Sequence, residues 1–168
     1  LPNKKGFDFF YGYLDQHHAH NPYPDFIMRN DERVALRNKI VPGSDGGPDG
    51  KGSGAGIAEE PLDFVPDLMA AEALRWVGEQ KERPFFLYWS LITPHANNEG
   101  TKHGRGQEIP DLGPYADKPW PKPDKAHAAT ITRLDADIGR LLALLKKLGL
   151  DENTLVMFTS DNGHHKEG

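Results

Sequence analysis

The stretch Thr154-Leu155-Val156-Met157-Phe158-Thr159 is apolar and β-prone, and it stops abruptly at Ser160-Asp161-Asn162-Gly163. A near-continuous apolar run of this length fits a strand buried on both faces, which implies a parallel sheet covered by helices. In open α/β sheets the carboxyl ends of such strands carry the ligand chemistry. Asp161 brings a carboxylate and Asn162 an amide carbonyl, two hard oxygen donors side by side, and Gly163 permits the tight turn that would hold them. The pair therefore suits a cation such as calcium. An Asx turn that merely closes the strand is the alternative these residues leave open.

A second apolar run, Phe85-Phe86-Leu87-Tyr88-Trp89-Ser90-Leu91-Ile92, also ends in polar chemistry, at Thr93-Pro94-His95-Ala96-Asn97-Asn98. Pro66-Asp67 opens a helix before it, with Met69, Ala73, Trp76 and Val77 at helical spacing to about Lys81. A long helix is expected after it, from about Asp124 to Leu148, with Ile131, Leu134, Ile138, Leu141, Leu142, Leu145 and Leu148 on one stripe and Gly149 as its stop. Strand, crossover, helix, strand predicts parallel pairing with a right-handed connection. The expected fold class is α/β, a mostly parallel sheet flanked by helices. His95 and the Asp161-Asn162 pair would then emerge on one edge over a shared crevice, with His95 the candidate catalytic residue.

The rest of the chain frames these runs. Gly6-Phe7-Asp8-Phe9-Phe10-Tyr11-Gly12-Tyr13 reads as a strand or turn lining a wall, and Phe26 to Leu36 as a hairpin about Asn30-Asp31. Three histidines, His17, His18 and His20, lie too close along one segment to converge readily on one metal, so a solvated or substrate-facing loop is expected. From Pro42 to about Ala58 the chain is rich in Gly, Pro, Ser and Asp and reads as a mobile surface insertion. Its Gly50-Lys51-Gly52 lacks the hydroxyl after lysine that a phosphate loop requires. Gly100 to Lys125 is expected to be an irregular loop pinned by Tyr115 and Trp120, and Asp135 on the long helix to brace the loop near His95, to pair with Arg133 or Arg140, or to take a plain surface position.

Length and charge bound the function. At 168 residues the chain suffices for one domain with a core, and Lys+Arg 20 against Asp+Glu 25 gives a net charge of −5 without a basic stripe, which argues against nucleic acid. No apolar run is long enough to span a bilayer. With no cysteine, neither disulfides nor thiolate chemistry arise within these residues. Leu1-Pro2-Asn3-Lys4-Lys5-Gly6 does not look like a natural start, so the chain is expected to be a piece of something longer.

In order and spacing, Gly6-Phe7-Asp8-Phe9-Phe10-Tyr11-Gly12, the Pro84-Phe85-Phe86-Leu87-Tyr88 run leading to Pro94-His95, Leu134-Asp135-Ala136-Asp137-Ile138-Gly139 and Phe158-Thr159-Ser160-Asp161-Asn162-Gly163 resemble the middle of an arylsulfatase-type sulfatase of the alkaline phosphatase superfamily. The resemblance implies an internal part of one catalytic domain over residues 1–168, a large α/β sheet, one calcium ion (Ca2+) and hydrolysis of a sulfated small molecule or sulfated carbohydrate. It implies Asp161 and Asn162 as metal ligands, His95 against the sulfate or its bridging oxygen, and a substrate-facing role for His20, which lies in a stretch similar to one in related sequences. The family's nucleophile is a formylglycine made from a Cys- or Ser-x-Pro-x-Arg motif that is found nowhere in this chain. The chain alone is thus expected to be inactive, and the parent protein to be periplasmic or secreted. Two alternatives stand beside this reading. One is a two-metal phosphatase or phosphodiesterase of the same superfamily, for which His164 and His165 would serve as zinc ligands. The other is a non-catalytic carbohydrate-binding fragment presenting Trp89, Trp120 and tyrosines to sugars.

Overall fold

Asn30-Asp31 turns the chain back on itself as expected, with Asn30 at φ 53, a left-handed conformation that asparagine tolerates better than most residues. The computed structural model describes residues 1–44 and 53–163. Strands β2 (Phe26–Arg29) and β3 (Glu32–Ala35) flank that turn, and β1 (Tyr11–Gly12) adds to β2, giving a three-stranded antiparallel sheet in the order β1-β2-β3. The Asn30 carboxamide oxygen accepts from the Phe10 backbone N–H at 3.0 Å and from Asn3 Nδ2 at 3.1 Å, tying the N-terminal aromatic segment to the hairpin.

Helix α1 (Gln16–His20) joins β1 to β2, and its start is set by Asp15, whose carboxylate accepts from the His18 N–H. Helix α2 (Val65–Glu79) begins with Pro66 in its first turn and buries Val65, Pro66, Ala70, Ala73 and Val77, one face of a 3.6-residue period. Helix α3 (Asn98–Thr101) is a single turn, and α4 (Lys122–Lys147) is the long helix the leucine stripe predicts, stopped at Gly149 with φ 69. The stripe itself is only partly covered. Leu145 is buried, whereas Ile131 and Leu142 are each 45% exposed, and small residues, Ala126, Ala129 and Thr130, form most of the buried face. The buried acid of this helix is Asp137, paired with Arg140 one turn on, while Asp135 is exposed, and Arg133 pairs with Asp67 instead. No helix among the described residues is long and apolar enough to cross a membrane.

The long connections are held by buried asparagines. Asn38 Nδ2 donates to the carbonyls of Pro24 and Asp63, both at 2.8 Å, and its oxygen accepts from the N–H groups of Leu62 and Asp63. Every hydrogen-bonding atom of that side chain is satisfied, as burial demands. Asn21 and Asn97 do the same for the glycine-rich segment, donating to Gly54 O at 2.9 Å and Gly56 O at 2.8 Å. This corrects the expected surface insertion at its far end. Residues 45–52 lie outside the described residues, but Gly54 to Ala58 are buried, and Ile57 accepts from the Val41 N–H at 2.9 Å while its own N–H donates to Ser44 Oγ at 3.1 Å. Composition signalled a loop; the absence of side chains is what lets this one run through the interior beside two asparagines.

The two apolar runs differ from expectation. Neither Phe85–Ile92 nor Thr154–Ser160 is hydrogen-bonded into a sheet among the described residues, so the mostly parallel sheet is not formed by these residues and the sheet that exists is antiparallel. Exposure alternates from Phe85 to Ser90 with period two, as in an extended chain, and Leu155 and Met157 are more than four-fifths exposed. A parallel strand draws its stability from neighbours on both sides and helices on both faces, and these two runs have neither here. The first run, with Phe7, Phe9 and Trp76, lines an open apolar groove of about 1150 Å³.

Candidate functional site

His95 follows the first apolar run and the cis Thr93–Pro94 peptide. Its Nδ1 lies 2.6 Å from the Ala96 carbonyl oxygen, an acceptor only, so Nδ1 carries a proton and donates it. That bond fixes the ring and leaves Nε2 as the nitrogen available to a substrate. His95 is exposed, as a group meeting a ligand must be.

The His95 ring is stacked face to face on His20, with centroids 5.1 Å apart and planes at 3°. His20 ends α1, and its Nδ1 donates to Glu99 Oε2 at 3.0 Å, with both side chains largely buried. Glu99 sits in the first turn of α3, placed there by Asn97, whose oxygen caps the Gly100 N–H at 3.0 Å. Gly100 is required by this packing, because a Cβ there would stand 2.4 Å from the Arg105 carbonyl oxygen. Beneath the two imidazoles is a cavity of about 10 Å³ lined by Asn97, Gln107, Glu108 and Thr130. Burial pushes the Glu108 carboxyl above the usual range, opposed by the Arg105 guanidinium, which donates to its other oxygen at 2.8 Å. Gln107 Nε2 and Glu108 Oε2 are buried without partners in the described structure.

The three clustered histidines have three different fates. His17 meets His20 edge to face at 5.9 Å. His18 is turned into the core against Tyr13 and Phe26 and donates from Nε2 to the Phe26 carbonyl at 3.0 Å. His20 joins His95. The segment expected as a solvated or substrate-facing loop is a turn of helix: Asp15 starts it, His18 turns inward and His20 towards Glu99.

Asp161 and Asn162 are exposed at the end of the second run. Asn162 Nδ2 donates to Asp161 Oδ2 at 2.9 Å, and Ser160 Oγ donates to the Asn162 carbonyl at 2.7 Å. The amide is thus oriented through its nitrogen, which leaves its carbonyl oxygen for another partner. As donors the two residues suit a hard cation, yet they give only part of the roughly six to eight oxygens calcium takes. Among the described residues no three His, Cys, Asp or Glu side chains converge on a metal position. His95 and His20 are brought together, and neither Asp161 nor Asn162 lines their cavity. His164 and His165 lie outside the described residues.

Sequence reasoning missed Glu99. The signal was present in Asn97-Asn98-Glu99-Gly100, a helix-capping asparagine followed by an acid in the first turn, but nothing local reveals that the acid reaches His20.

Comparison with known proteins identifies the family of the chain. A family model described as Sulfatase matches residues 2–168. The chain is 30% identical over 170 residues to N-acetylgalactosamine-6-sulfatase of Rattus norvegicus, covering 96% of this chain and 27% of that protein. It is 31% identical over 113 residues to steryl-sulfatase of the same species, covering 66% of this chain and 16% of that protein. It is also 27% identical over 165 residues to the sulfatase YdeN of Escherichia coli (strain K12), covering 96% of this chain and 23% of that one. The chain spans about a quarter of the length of the relatives it matches over most of its own length, and with residues 2–168 inside the family model it belongs to the sulfatase family.

Proposed function

We propose that the protein containing these residues hydrolyses a sulfate ester with the help of a calcium ion, and that His95, Asp161 and Asn162 are this chain's share of the site. The observation that carries the reading is an exposed His95, held through Nδ1 on the Ala96 carbonyl, in a chain of the sulfatase family. Asp161 and Asn162 would contribute one carboxylate and one amide oxygen to the ion, with further ligands and a formylglycine nucleophile from outside residues 1–168. Calcium held there supplies positive charge that draws off electron density from the sulfate oxygens and favours an ionised nucleophile.

His95 handles the proton. As the bond between sulfur and the bridging oxygen breaks, its electron pair stays on the leaving oxygen while the sulfuryl group passes to the nucleophile. The proton on Nε2 moves to that oxygen, and the imidazole is left neutral with Nδ1–H still held by Ala96. His20, stacked on the His95 ring and lining the same small cavity, would face the substrate. In the whole protein the runs Phe85–Ile92 and Thr154–Ser160 become neighbouring strands of a mostly parallel α/β sheet, which brings the oxygen pair to the His95 edge. A sulfated small molecule or sulfated carbohydrate is the substrate class, and the protein works in the periplasm or after secretion.

The test is turnover of 4-nitrophenyl sulfate by the full-length protein with added calcium, with added zinc and after chelation. Calcium-dependent release of sulfate that falls at least about a hundredfold in His95→Ala supports the reading; phosphate-ester hydrolysis that requires zinc overturns it in favour of a two-metal phosphatase. A carbohydrate-binding role has one observation in its favour, the exposed Trp120 ring stacked 5.8 Å from Tyr115. Binding of unsulfated oligosaccharides without turnover would select it.

A further inference from the structure

We propose that Glu99 and His20 are positioning residues for His95, joined to it as a carboxylate–imidazole–imidazole stack that holds the plane of the ring towards the leaving group. The inference rests on the sulfatase reading of His95 and names two residues that act through it. Three observations converge. Glu99 Oε2 accepts from His20 Nδ1 at 3.0 Å, which fixes the plane of the His20 ring. The His95 ring lies parallel to that plane at 3°, with centroids 5.1 Å apart. The Glu99 and His20 side chains are 15% and 9% exposed, so neither ring plane nor charge is freely dissipated into water.

Among the described residues Glu99 forms no ion pair with lysine or arginine; its one charged partner is His20. Its carboxylate is therefore committed to the His20 Nδ1–H, and the ring so held is the surface on which His95 lies. The other charged or titratable groups around the pair are His17, edge-on to His20 at 5.9 Å from the same helix, and Glu108, which lines the shared cavity from the loop after α3 with its charge offset by Arg105. Thr130 is the contribution of α4 and is uncharged. With Glu99 neutralised, the His20 ring loses the bond that fixes its plane, and His95 is held less well for proton delivery to a poor leaving group.

The experiment uses the full-length protein and two substrates, 4-nitrophenyl sulfate, whose leaving group needs little protonation, and a simple alkyl sulfate, whose leaving group needs much. Glu99→Gln is expected to lower kcat on the alkyl sulfate about tenfold more than on the aryl sulfate, with KM little changed on either. Glu99→Asp, which keeps the carboxylate acceptor, is expected to restore part of the loss on the alkyl sulfate. His20→Phe, which keeps a stacked ring and severs the link to Glu99, is expected to show the same discrimination between substrates. Unchanged kcat on both substrates, or equal losses on both, overturns the proposal and leaves the two residues as packing. If Glu99→Gln does not fold, His20→Phe decides by the same readouts. Full activity in His95→Ala on both substrates would instead overturn the role of His95 itself, a failure distinct from that of its positioning pair.

Discussion

Arg133, on α4, grips Asp67 in the first turn of α2 along one edge of its guanidinium, with Nε donating to Oδ1 at 2.6 Å, while the guanidinium lies 5.7 Å from the Phe64 ring centroid. Two helices whose apolar stripes are incompletely covered are thus joined by a two-pronged ion pair. The pair also places a carboxylate at the N-terminus of α2, where the helix dipole favours it.

Asp67→Asn is expected to destabilise the protein by about 1 kcal/mol, since a bidentate pair about one-third exposed is worth more than a typical surface bridge and far less than a buried one. Arg133→Ala is expected to cost more, because contact with Phe64 is lost as well. Urea unfolding of the single and double variants measures the coupling, and strictly additive losses would show that the two side chains do not work together.

Gly54 has φ +75, and a Cβ there would stand 2.5 Å from the His18 ring and 3.1 Å from Phe26. His18 cannot swing away without giving up its bond to the Phe26 carbonyl. Gly54→Ala is therefore expected to lower stability by about 2–3 kcal/mol, strain and overpacking together. Gly6 also has positive φ but nothing within 4 Å, so Gly6→Ala should cost about 1 kcal/mol. Thermal unfolding of the two variants, side by side, separates the close approach from the backbone conformation.

What could be read in advance was local. Pro66-Asp67, the leucine spacing with Gly149, and Asn30-Asp31 between apolar runs act within a few residues, and each produced its helix or turn. The pairing of Phe85–Ile92 with Thr154–Ser160 depends on neighbours far off in sequence, and these residues do not supply them. His20 and Glu99 are separated by 79 positions, so no spacing argument could join them. The glycine-rich segment misled for a related reason: its composition reports freedom from side chains, which serves a buried passage between Asn21 and Asn97 as well as a solvated loop.

Acid should unfold the protein in two stages. Burial holds the His18 imidazole below its usual pKa, with the Phe26 carbonyl working in the other direction. The unfolded chain therefore takes up a proton near its ordinary value of 6.5 that the folded state resists, and stability falls as pH drops below that value. Glu72 is held down to about 2 by hydrogen bonds from Arg75 first and then Arg29, against an ordinary value of 4.5. Its contribution is complete above 4.5 and is lost as pH falls towards 2. Urea midpoints measured between pH 7 and pH 3 should show both declines, and Glu72→Gln should shrink the lower one, to which Asp63, held down by Arg37, also contributes, and leave the upper one in place.

Leu155, Met157 and Phe158 are each more than two-thirds exposed on a run that makes no ladder bonds among the described residues. An unpaired, apolar extended segment is a template for another chain. Residues 1–168 expressed by themselves are expected to self-associate at micromolar concentration, and Met157→Lys with Phe158→Lys to shift the population towards monomer in sedimentation velocity. An unchanged distribution would point to the groove beside Phe86 as the contact instead.

The oxygen pair makes the sharpest statement about metal. Asn162 Nδ2 is engaged with Asp161 Oδ2, so the amide presents oxygen and not nitrogen to any ion that meets both residues. Calcium tolerates such a mixed carboxylate and amide set, whereas zinc prefers imidazole and thiolate. In the full-length protein, Asp161→Ala and Asn162→Ala are each expected to weaken calcium binding at least about tenfold, the first more because it also removes a charge. Residues 1–168 alone, with two ligands against a requirement of about six to eight, should bind calcium only weakly and release no sulfate from 4-nitrophenyl sulfate. Calorimetry with calcium and with zinc measures the first expectation. Turnover by the isolated chain would refute the second, because the reaction would then need neither the outside ligands nor the outside nucleophile.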